Sequence, residues 1–337
     1  MAINSSLASL SETLWTAATG TYMLAVVAYT GEYAFGKNGR IAKTSPAAVV
    51  REPAMAGAGG LPSAPTGPYG AGTVQQRGGD AGQRWGRIAV TLTVLGAVFH
   101  LASVAIRGIA VDRVPWGNMY EFTLVVGLVA TLAWLITLVR MPQLRYMGLL
   151  VMMPVVLLMF LAGALYTKAS KLVPALQSYW LAIHVSSIAT AEGILLTSAA
   201  ITAMYLVRAR YERLTAAGSA GTGRFADWGA RLPAAASLDK AAYRTVAFAF
   251  PIYTAGVIFG AIWAEAAWGR YWGWDPKETW AFIAWVIYAT YLHARATAGW
   301  KGSRAAYINL LGFGAMTFNF FVVNIVISGL HSYAGLN

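Results

Sequence analysis

The sequence predicts an all-α protein, a polytopic bundle of about eight transmembrane helices. Of its 337 residues, 58% are hydrophobic and only 11% are charged. The apolar residues are collected in runs of about 20, the length that a helix needs to cross the hydrocarbon core of a bilayer. The polar residues between these runs are too few and too scattered to form a separate soluble domain.

The eight predicted spans follow from these apolar runs. They lie at about 12–34, 87–107, 118–139, 145–166, 179–207, 244–266, 278–296 and 305–328. A short turn at Met141-Pro142 joins the third span to the fourth. The first run is preceded by Glu12 and by no cation, so we predict a retained helix and no cleaved signal peptide.

The predicted domains are a first transmembrane helix at 1–35, a cytoplasmic linker at 36–86 and a membrane domain at 87–337. The linker is rich in Gly, Pro, Ala and Ser, which is typical of a mobile segment. A second loop at 208–243 has two interpretations. Its composition favours a solvated linker, while Trp228 and Leu238 are among the residues that would fit an amphipathic surface helix.

The net charge of +12 is explained by membrane topology. When alternate loops are assigned to opposite sides, nineteen Lys and Arg residues fall on one side and six on the other. By the positive-inside rule the nineteen are cytoplasmic, so both termini and the segment at 263–285 are predicted to face outward. We therefore expect a lipid bilayer around the chain and no nucleic-acid partner.

Cysteine is absent from the chain. The protein therefore neither exchanges thiols and disulfides nor binds a metal through thiolates. Any thiol chemistry associated with it must be supplied by another polypeptide.

Six of the thirteen tryptophans lie between residues 263 and 285, the tryptophan-rich segment. Glycines and Pro276 interrupt it between two predicted spans. Trp268, Trp272, Trp274 and Asp275 are predicted to form an aromatic and acidic surface that suits a flat, apolar, partly charged ligand. The alternative is an interfacial aromatic belt, but a belt spreads over all helix ends.

The four histidines occupy separate predicted spans or their edges. His184 and His331 are both predicted near the outer surface, where two imidazoles beside an aromatic platform suit bis-histidine haem ligation. His293 lies 15 residues beyond Glu278, roughly 22 Å farther along a helix toward the cytoplasmic side. His100 is predicted at mid-depth. For each of them, the alternative is a neutral histidine that is hydrogen-bonded between helices.

Other polar residues in or near the spans have weaker predictions. Glu192 is expected near the helix face of His184, where it would hydrogen-bond an imidazole or accept a proton. Arg107 and Arg270 are candidates to pair with haem propionates, with interfacial snorkelling as the alternative. Asparagines of the last span are predicted to form hydrogen bonds between helices, namely Asn309, Asn319 and Asn324.

Four stretches of the sequence carry a family resemblance. The run from Trp268 to Trp280, WGRYWGWDPKETW, resembles the "WWD" signature of the haem-handling protein superfamily, and YLHAR at 291–295 is similar to its CcsA (ResC) branch. The stretches RVPWGNMYE at 113–121 and GLHSYA at 329–334 agree with the same branch. The resemblance covers roughly residues 87–337.

The resemblance implies a haem-handling membrane subunit of system II cytochrome c biogenesis. It implies haem b (iron protoporphyrin IX) as cofactor, with His184 and His331 as external iron ligands and His293 as an inner ligand. Trp268, Trp272, Trp274 and Asp275 would then contact the external haem. Supporting roles are implied for Arg270, Tyr271, Glu278, Glu192 and His100, although no particular role carries over to His100.

The same resemblance implies partners and a location. A CcsB/ResB-like membrane protein and an apocytochrome c bearing CXXCH are expected, and a thioredoxin-like thiol reductant indirectly. The chain would belong to a cytochrome c synthase (haem lyase) complex in the plasma membrane, with no assigned catalytic residue of its own. It departs from the family by its long first linker and by lacking a fused CcsB portion.

Three other functions compete with this interpretation. A b-type haem subunit for electron transfer is disfavoured, because such subunits pair histidines across two helices twice over. A transporter of small molecules or lipid-linked substrates would use the aromatic segment as a gate. A scaffold that only docks a partner leaves the placement of the histidines unexplained.

Overall fold

The computed structural model describes residues 3–35, 77–170, 172, 176–219, 224–297 and 299–331. Within these ranges the chain is helical and contains no strand. In chain order the helices are α1 (Ser5–Phe35), α2 (Arg77–Val111), α3 (Met119–Arg140), α4 (Gly148–Ala164), α5 (Tyr179–Ala216), α6 (Arg224–Arg231), α7 (Ala235–Trp268), α8 (Pro276–Ala296) and α9 (Ser303–Phe318). A 3-10 helix (Pro142–Met147) precedes α4, and a π-helical turn (Asn319–Val323) follows α9.

Six of the described helical segments are long and apolar enough to cross a membrane. They correspond to α2, α3, α4, α5, α7 and α9, which confirms the polytopic helical bundle. The helices of the first and seventh predicted spans, α1 and α8, are not among the six. In α8 the polar residues are placed at the two ends, with Lys277 and Glu278 at one and His293 and Arg295 at the other.

The helices pack in two groups that share α5. α1 lies along α2, and α3 contacts α2, α4 and α5. α7 lies along α5, while α8 contacts both α7 and α9. One buried core involves α1 to α5 together with the start of α7 and Ala306 of α9, and a second lies among α5, α7, α8 and α9.

A buried amide joins two helices of the second group. Asn309 of α9 donates from Nδ2 to the hydroxyls of Ser198 (3.1 Å) and Thr202 (2.7 Å) on α5. This contact confirms the predicted interhelical role of Asn309.

The predicted loop at 208–243 is mostly helical, so the interpretation as a solvated linker is wrong. The interpretation as an amphipathic helix is supported in part, since Trp228 lies in α6 (Arg224–Arg231). α5 continues to Ala216 and α7 already begins at Ala235. Leu232 and Leu238 are 3% and 0% exposed, because both pack in the first core. Alanine is the strongest helix former, so an Ala-rich stretch with regularly spaced arginines extends the helices beyond the apolar runs.

The linker predicted at 36–86 ends earlier in the structure, because α2 begins at Arg77. Residues 36–76 lie outside the described residues.

Polar contacts distinguish the two ends of the bundle. At one end Arg145 pairs with Glu32 (Nη2 to Oε1, 2.8 Å), and Arg231 donates to the carbonyl of Tyr33. At the other end, which carries the α7–α8 turn and is here called the tryptophan end, the backbone N–H of Asn4 donates to the carbonyl of Ala110.

Candidate functional site

A cavity of about 1140 Å³, including the part open to solvent, lies at the tryptophan end. Its walls come from the start of α3, from α5, α7 and α8, from the π-helical turn, and from the tail after it. Most of its lining is apolar, which suits a large flat ligand. Apart from Tyr253 and Tyr271, the ionisable and amide side chains among the lining residues are Asn118, His184, Glu192, Lys277, Glu278, Asn319, Asn324 and His331.

Trp263 brings two histidines together in this cavity. The ring of His184 stacks on the Trp263 indole with centroids 6.1 Å apart and planes 12° apart. The ring of His331 meets the same indole edge-on, with centroids 5.8 Å apart. Trp263 is only 1% exposed, so this platform is fixed by the packing of α7. His184 from α5 and His331 from the tail therefore share one aromatic neighbour in one cavity.

Two glycines of α7 allow His184 to approach that helix closely. Nδ1 of His184 donates a hydrogen bond to the carbonyl oxygen of Gly256, 2.7 Å away. One turn later, a Cβ placed on Gly260 would come within 2.6 Å of the His184 ring. Because the carbonyl can only accept, the proton of the neutral imidazole is on Nδ1, and Nε2 is the nitrogen that can act as a ligand.

Asp275 holds His331 in the same tautomer. Its Oδ2 accepts a hydrogen bond from Nδ1 of His331 at 2.8 Å, and its Oδ1 accepts from the backbone N–H of Leu330 at 2.8 Å. A carboxylate that fixes the Nδ1 proton of a histidine leaves Nε2 as the ligand nitrogen and makes it more basic.

The charges around this pair favour an ionised Asp275 and a neutral His331. Burial alone would raise the pKa of Asp275, but the hydrogen bonds from His331 and Leu330 outweigh it and lower that pKa to about 2. Burial lowers the pKa of His331, although the Asp275 carboxylate opposes this effect. A neutral imidazole is the form that binds a metal.

The α7–α8 turn is stabilised by a capping box at the start of α8. Asp275 is the N-cap and accepts from the N–H of Lys277, while Glu278 Oε2 accepts from the N–H groups of Gly273 (2.8 Å) and Asp275 (3.1 Å). Trp274 adopts a positive φ of 58° in this turn, a region that is uncommon for residues other than glycine. The turn therefore has a defined shape, and Asp275 is held where it contacts His331.

The opposite wall of the cavity is fixed by a buried carboxylate. Glu121 at the start of α3 pairs with Arg107 (3.0 Å) and Arg113 (2.7 Å) and accepts from the N–H of Gly117 (2.8 Å). These contacts hold the segment before α3, which contributes Trp116, Gly117 and Asn118 to the lining. The predicted pairing of Arg107 with a propionate is therefore wrong: its side chain is 1% exposed and engaged with Glu121.

The aromatic residues of the predicted surface occupy different positions. Trp272 and Tyr271 line the cavity. Trp268 is the last residue of α7. Its ring centroid lies 4.8 Å from that of Trp263 and 5.0 Å from that of His331. Trp274 is not among the lining residues and is 66% exposed. Arg270 is also outside the lining, and its guanidinium lies 3.6 Å from Glu278.

The sequence suggested a hydrogen bond between Glu192 and an imidazole. In the structure Glu192 lines the cavity, and Nδ1 of His184 donates to the Gly256 carbonyl instead. Eight residues separate it from His184 on α5, roughly 12 Å along the helix. Glu192 therefore lines the inner part of the cavity.

The other two histidines lie elsewhere. His293 is exposed in the last turn of α8, far from the cavity. His100 is fully buried, and its Nδ1 lies 3.3 Å from the hydroxyl of Tyr22 on α1. This contact matches the alternative of a histidine hydrogen-bonded between helices.

Sequence reasoning missed Trp263, Lys277, Asn324 and the two α7 glycines. Lys277 donates from Nζ to Oδ1 of Asn324 at 2.7 Å, inside the cavity. One available signal was the spacing of Gly256 and Gly260, since glycines four residues apart allow membrane helices to approach closely. No comparable signal marked the pairing of Lys277 with Asn324, because the two residues are 47 positions apart.

Known proteins resemble this chain in sequence. A family profile described as "Cytochrome C assembly protein" matches residues 116–331. The "Cytochrome c biogenesis protein CcsA" of Guillardia theta is 42% identical over 179 residues, covering 50% of this chain and 59% of that protein. The protein of the same name from Pyropia yezoensis is 33% identical over 287 residues, covering 74% of this chain and 88% of the relative. The match to the CcsA of Synechococcus elongatus, at 39% identity, spans 61% of that protein.

A solved structure resembles the chain in fold. "Cytochrome c Heme Lyase CcmF" superposes with a TM-score of 0.59 over 94% of this chain and 46% of its own length, at 18% identity. At that identity the likeness concerns the fold alone. The sequence matches are stronger, because the profile covers more than half of the chain and one relative is matched over most of its length. This chain therefore belongs to the cytochrome c assembly protein family, among the CcsA proteins of cytochrome c biogenesis.

Proposed function

We propose that the chain holds haem b as a substrate in the cavity at the tryptophan end, with His184 and His331 as axial ligands. Together with a CcsB/ResB-like partner, it presents the haem vinyl groups to the CXXCH thiols of an apocytochrome c, to which they become joined by thioether bonds. One observation carries this proposal: two imidazoles line one apolar cavity against Trp263, each with Nδ1 held by an acceptor.

The residues of the cavity suit such a substrate. Imidazole nitrogens are common haem ligands, and the fixed Nδ1 protons direct both histidines to bind through Nε2. Trp263 and Trp272 supply aromatic surface for the porphyrin face. The chain contributes binding and orientation, and the reacting thiols belong to the apocytochrome, since this chain has no cysteine.

The two histidines differ in how firmly they are held. His184 lies in the second turn of α5, a helix that packs along α7. His331 lies beyond the last helical turn and is oriented through Asp275. Displacing His331 breaks hydrogen bonds at one carboxylate and can be accommodated by the segment that carries it, whereas His184 is carried by a helix that packs along α7. His331 is therefore the ligand that yields to the CXXCH histidine of the apocytochrome.

His293 is proposed as a ligand of an inner haem site that a CcsB/ResB-like partner completes. Its exposed position in the last turn of α8 supports a role shared with a second protein. The excess of Lys and Arg in the loops at that end supports a cytoplasmic position for it. The apocytochrome thiols would be kept reduced by a thioredoxin-like protein.

The test is the absorption spectrum of the purified chain, combined with a pyridine haemochrome assay. We expect His184→Ala and His331→Ala each to lose the spectrum of six-coordinate, low-spin haem at the external site. Tyr307→Phe is the matched control, since Tyr307 is exposed on α9 and is not part of the cavity lining.

A spectrum that is unchanged in both histidine variants would refute the ligand assignment. A purified chain that takes up no haem, with or without its partner, would instead favour the transporter. Electron transfer makes a different prediction, namely a haem that is reduced by quinol and does not depend on apocytochrome.

A further inference from the structure

Lys277 places a cation in the wall of the cavity. It lies in the first turn of α8, and its Nζ donates one hydrogen bond, to Oδ1 of Asn324 at 2.7 Å. An ammonium group carries three N–H donors, so this contact uses one of them. The carboxyl groups of Glu192 and Asp275 act on its charge electrostatically, but the described contacts of Nζ include no salt bridge.

The two carboxylates nearest to Lys277 in the sequence have other partners. Asp275 accepts from His331 and from the backbone of Leu330. Glu278 accepts from two backbone N–H groups of the α7–α8 turn. Because a charge surrounded by apolar surface is costly unless it is paired, Lys277 is suited to receive an anionic group from a ligand.

Asn324 fixes the direction of the lysine. Its Nδ2 donates to the carbonyl of Phe320 at 2.7 Å, which leaves Oδ1 to face Nζ of Lys277. The side chain of Lys277 is therefore held in one direction by Asn324, which directly follows the π-helical turn.

We propose that Lys277, positioned by Asn324, binds a carboxylate of the substrate in this cavity. This inference rests on the proposed function, and the carboxylate is then a haem propionate. Glu192 lines the same cavity and acts electrostatically on Lys277, so a carboxylate of the substrate competes with it for this cation. The carboxylate edge of the substrate is thus directed toward the start of α8.

A carboxylate contact at Lys277 fixes an orientation of the porphyrin that two axial histidines leave free. A pair of imidazoles fixes the axis through the iron but leaves the porphyrin ring able to rotate about that axis. A propionate held at Lys277 selects one rotation and so determines which edge carries the vinyl groups to the thiols. Lys277 acts here as a binding residue and Asn324 as a positioning residue.

The test uses iron-free protoporphyrin IX and its dimethyl ester, which lacks free carboxylates. Binding of both probes to the full chain in detergent is measured by fluorescence titration. We expect the wild-type chain to bind the free acid about tenfold more tightly than the ester, because a charge-assisted hydrogen bond is lost in the ester. Lys277→Gln should remove this preference by weakening only the free acid.

Three further variants test the same contact. Lys277→Arg should keep the preference, because the charge is retained. Asn324→Ala should reduce it, because the lysine is no longer directed. Glu192→Gln should leave it intact or increase it. Equal melting temperatures of Lys277→Gln and wild type exclude misfolding, and Asn324→Ala tests the same pairing from its other side.

Failure of this inference is distinguishable from failure of the proposed function. A Lys277→Gln variant that still prefers the free acid overturns the inference, as does a wild-type chain that does not discriminate. The double variant with His184→Ala and His331→Ala should lose the low-spin haem spectrum but keep the preference among iron-free porphyrins. If that variant keeps the spectrum, the ligand assignment fails and the carboxylate site stands.

Discussion

Asp275 performs three tasks at the tryptophan end of the bundle. It caps α8, it accepts the backbone N–H of Leu330, and it fixes the Nδ1 proton of His331. The sequence predicts Asp275 as part of a ligand-contacting surface. In the structure it accepts a hydrogen bond from Nδ1 of His331, so under the proposed function it orients an iron ligand.

Asp275→Asn is expected to weaken haem binding about 10- to 100-fold, as is typical when the partner of a metal-binding histidine is changed. The amide can turn its N–H₂ toward Nδ1 and thereby place the imidazole proton on Nε2. A haem titration followed in the Soret band measures the effect. Asp239→Asn is the matched control, since Asp239 pairs with Arg295 away from the cavity (2.6 Å). Equal losses in both variants would contradict the orienting role.

Trp263 and Trp274 provide a contrast between two tryptophans of one segment. Trp263→Ala is expected to destabilise the chain by about 3–5 kcal/mol, the usual cost of removing a buried aromatic side chain. Trp274→Ala should change stability by less than about 0.5 kcal/mol, because its ring is 66% exposed. Thermal unfolding in detergent, followed by circular dichroism, measures both. A similar loss in the two variants would show that Trp263 is not a fixed platform.

The contact between α5 and α7 depends on small residues of α7. A side chain at Gly256 would meet Ile188 at 2.7 Å, and one at Gly260 would meet the His184 ring at 2.6 Å. Glycine is therefore required here for close approach and not for an unusual backbone conformation. The position of His184 is a property of the helix pair.

Gly260→Ala is expected to displace the His184 ring and to cost about 1–3 kcal/mol through overpacking. The external haem should then lose low-spin character, which the absorption spectrum detects. Gly314→Ala on α9 is the matched control, because nothing lies within 4 Å of the added methyl group. A normal spectrum in Gly260→Ala would mean that the ring adjusts without loss of ligation.

Hydropathy predicted most of the elements but not all of their ends. Apolar runs located the membrane-crossing helices, because the bilayer imposes a length of about 20 residues. The lengths predicted for α5 and α7 were too short, because both helices continue beyond the apolar run through stretches rich in alanine. The resemblance in the tryptophan-rich segment pointed to His184 and His331, whereas their shared indole and the Lys277–Asn324 contact arise only from packing.

The whole molecule has an asymmetric distribution of charge. Nineteen of its 25 basic residues belong to one set of loops, and ion pairs such as Arg145–Glu32 lie at that end. The cavity lies at the opposite end. The positive-inside rule therefore predicts that the cavity opens on the outer face of the membrane.

Single cysteines can test this orientation, because the chain has none of its own. Val114→Cys at the tryptophan end is expected to react with a membrane-impermeant maleimide in intact cells. Lys301→Cys, at the start of α9, should react only after lysis. Both positions are exposed, so accessibility within the fold is matched. The reverse labelling pattern would place the cavity on the cytoplasmic side.

The π-helical turn at Asn319–Val323 contains one residue more than an α-helical turn would. Loss of one codon there would let α9 continue as a regular helix and would rotate every later residue by about 100°. Asn324 would turn away from Lys277, and the segment leading to His331 would start in a new direction. The length and the hydropathy of the chain would hardly change, yet the deletion would separate the cavity from His331.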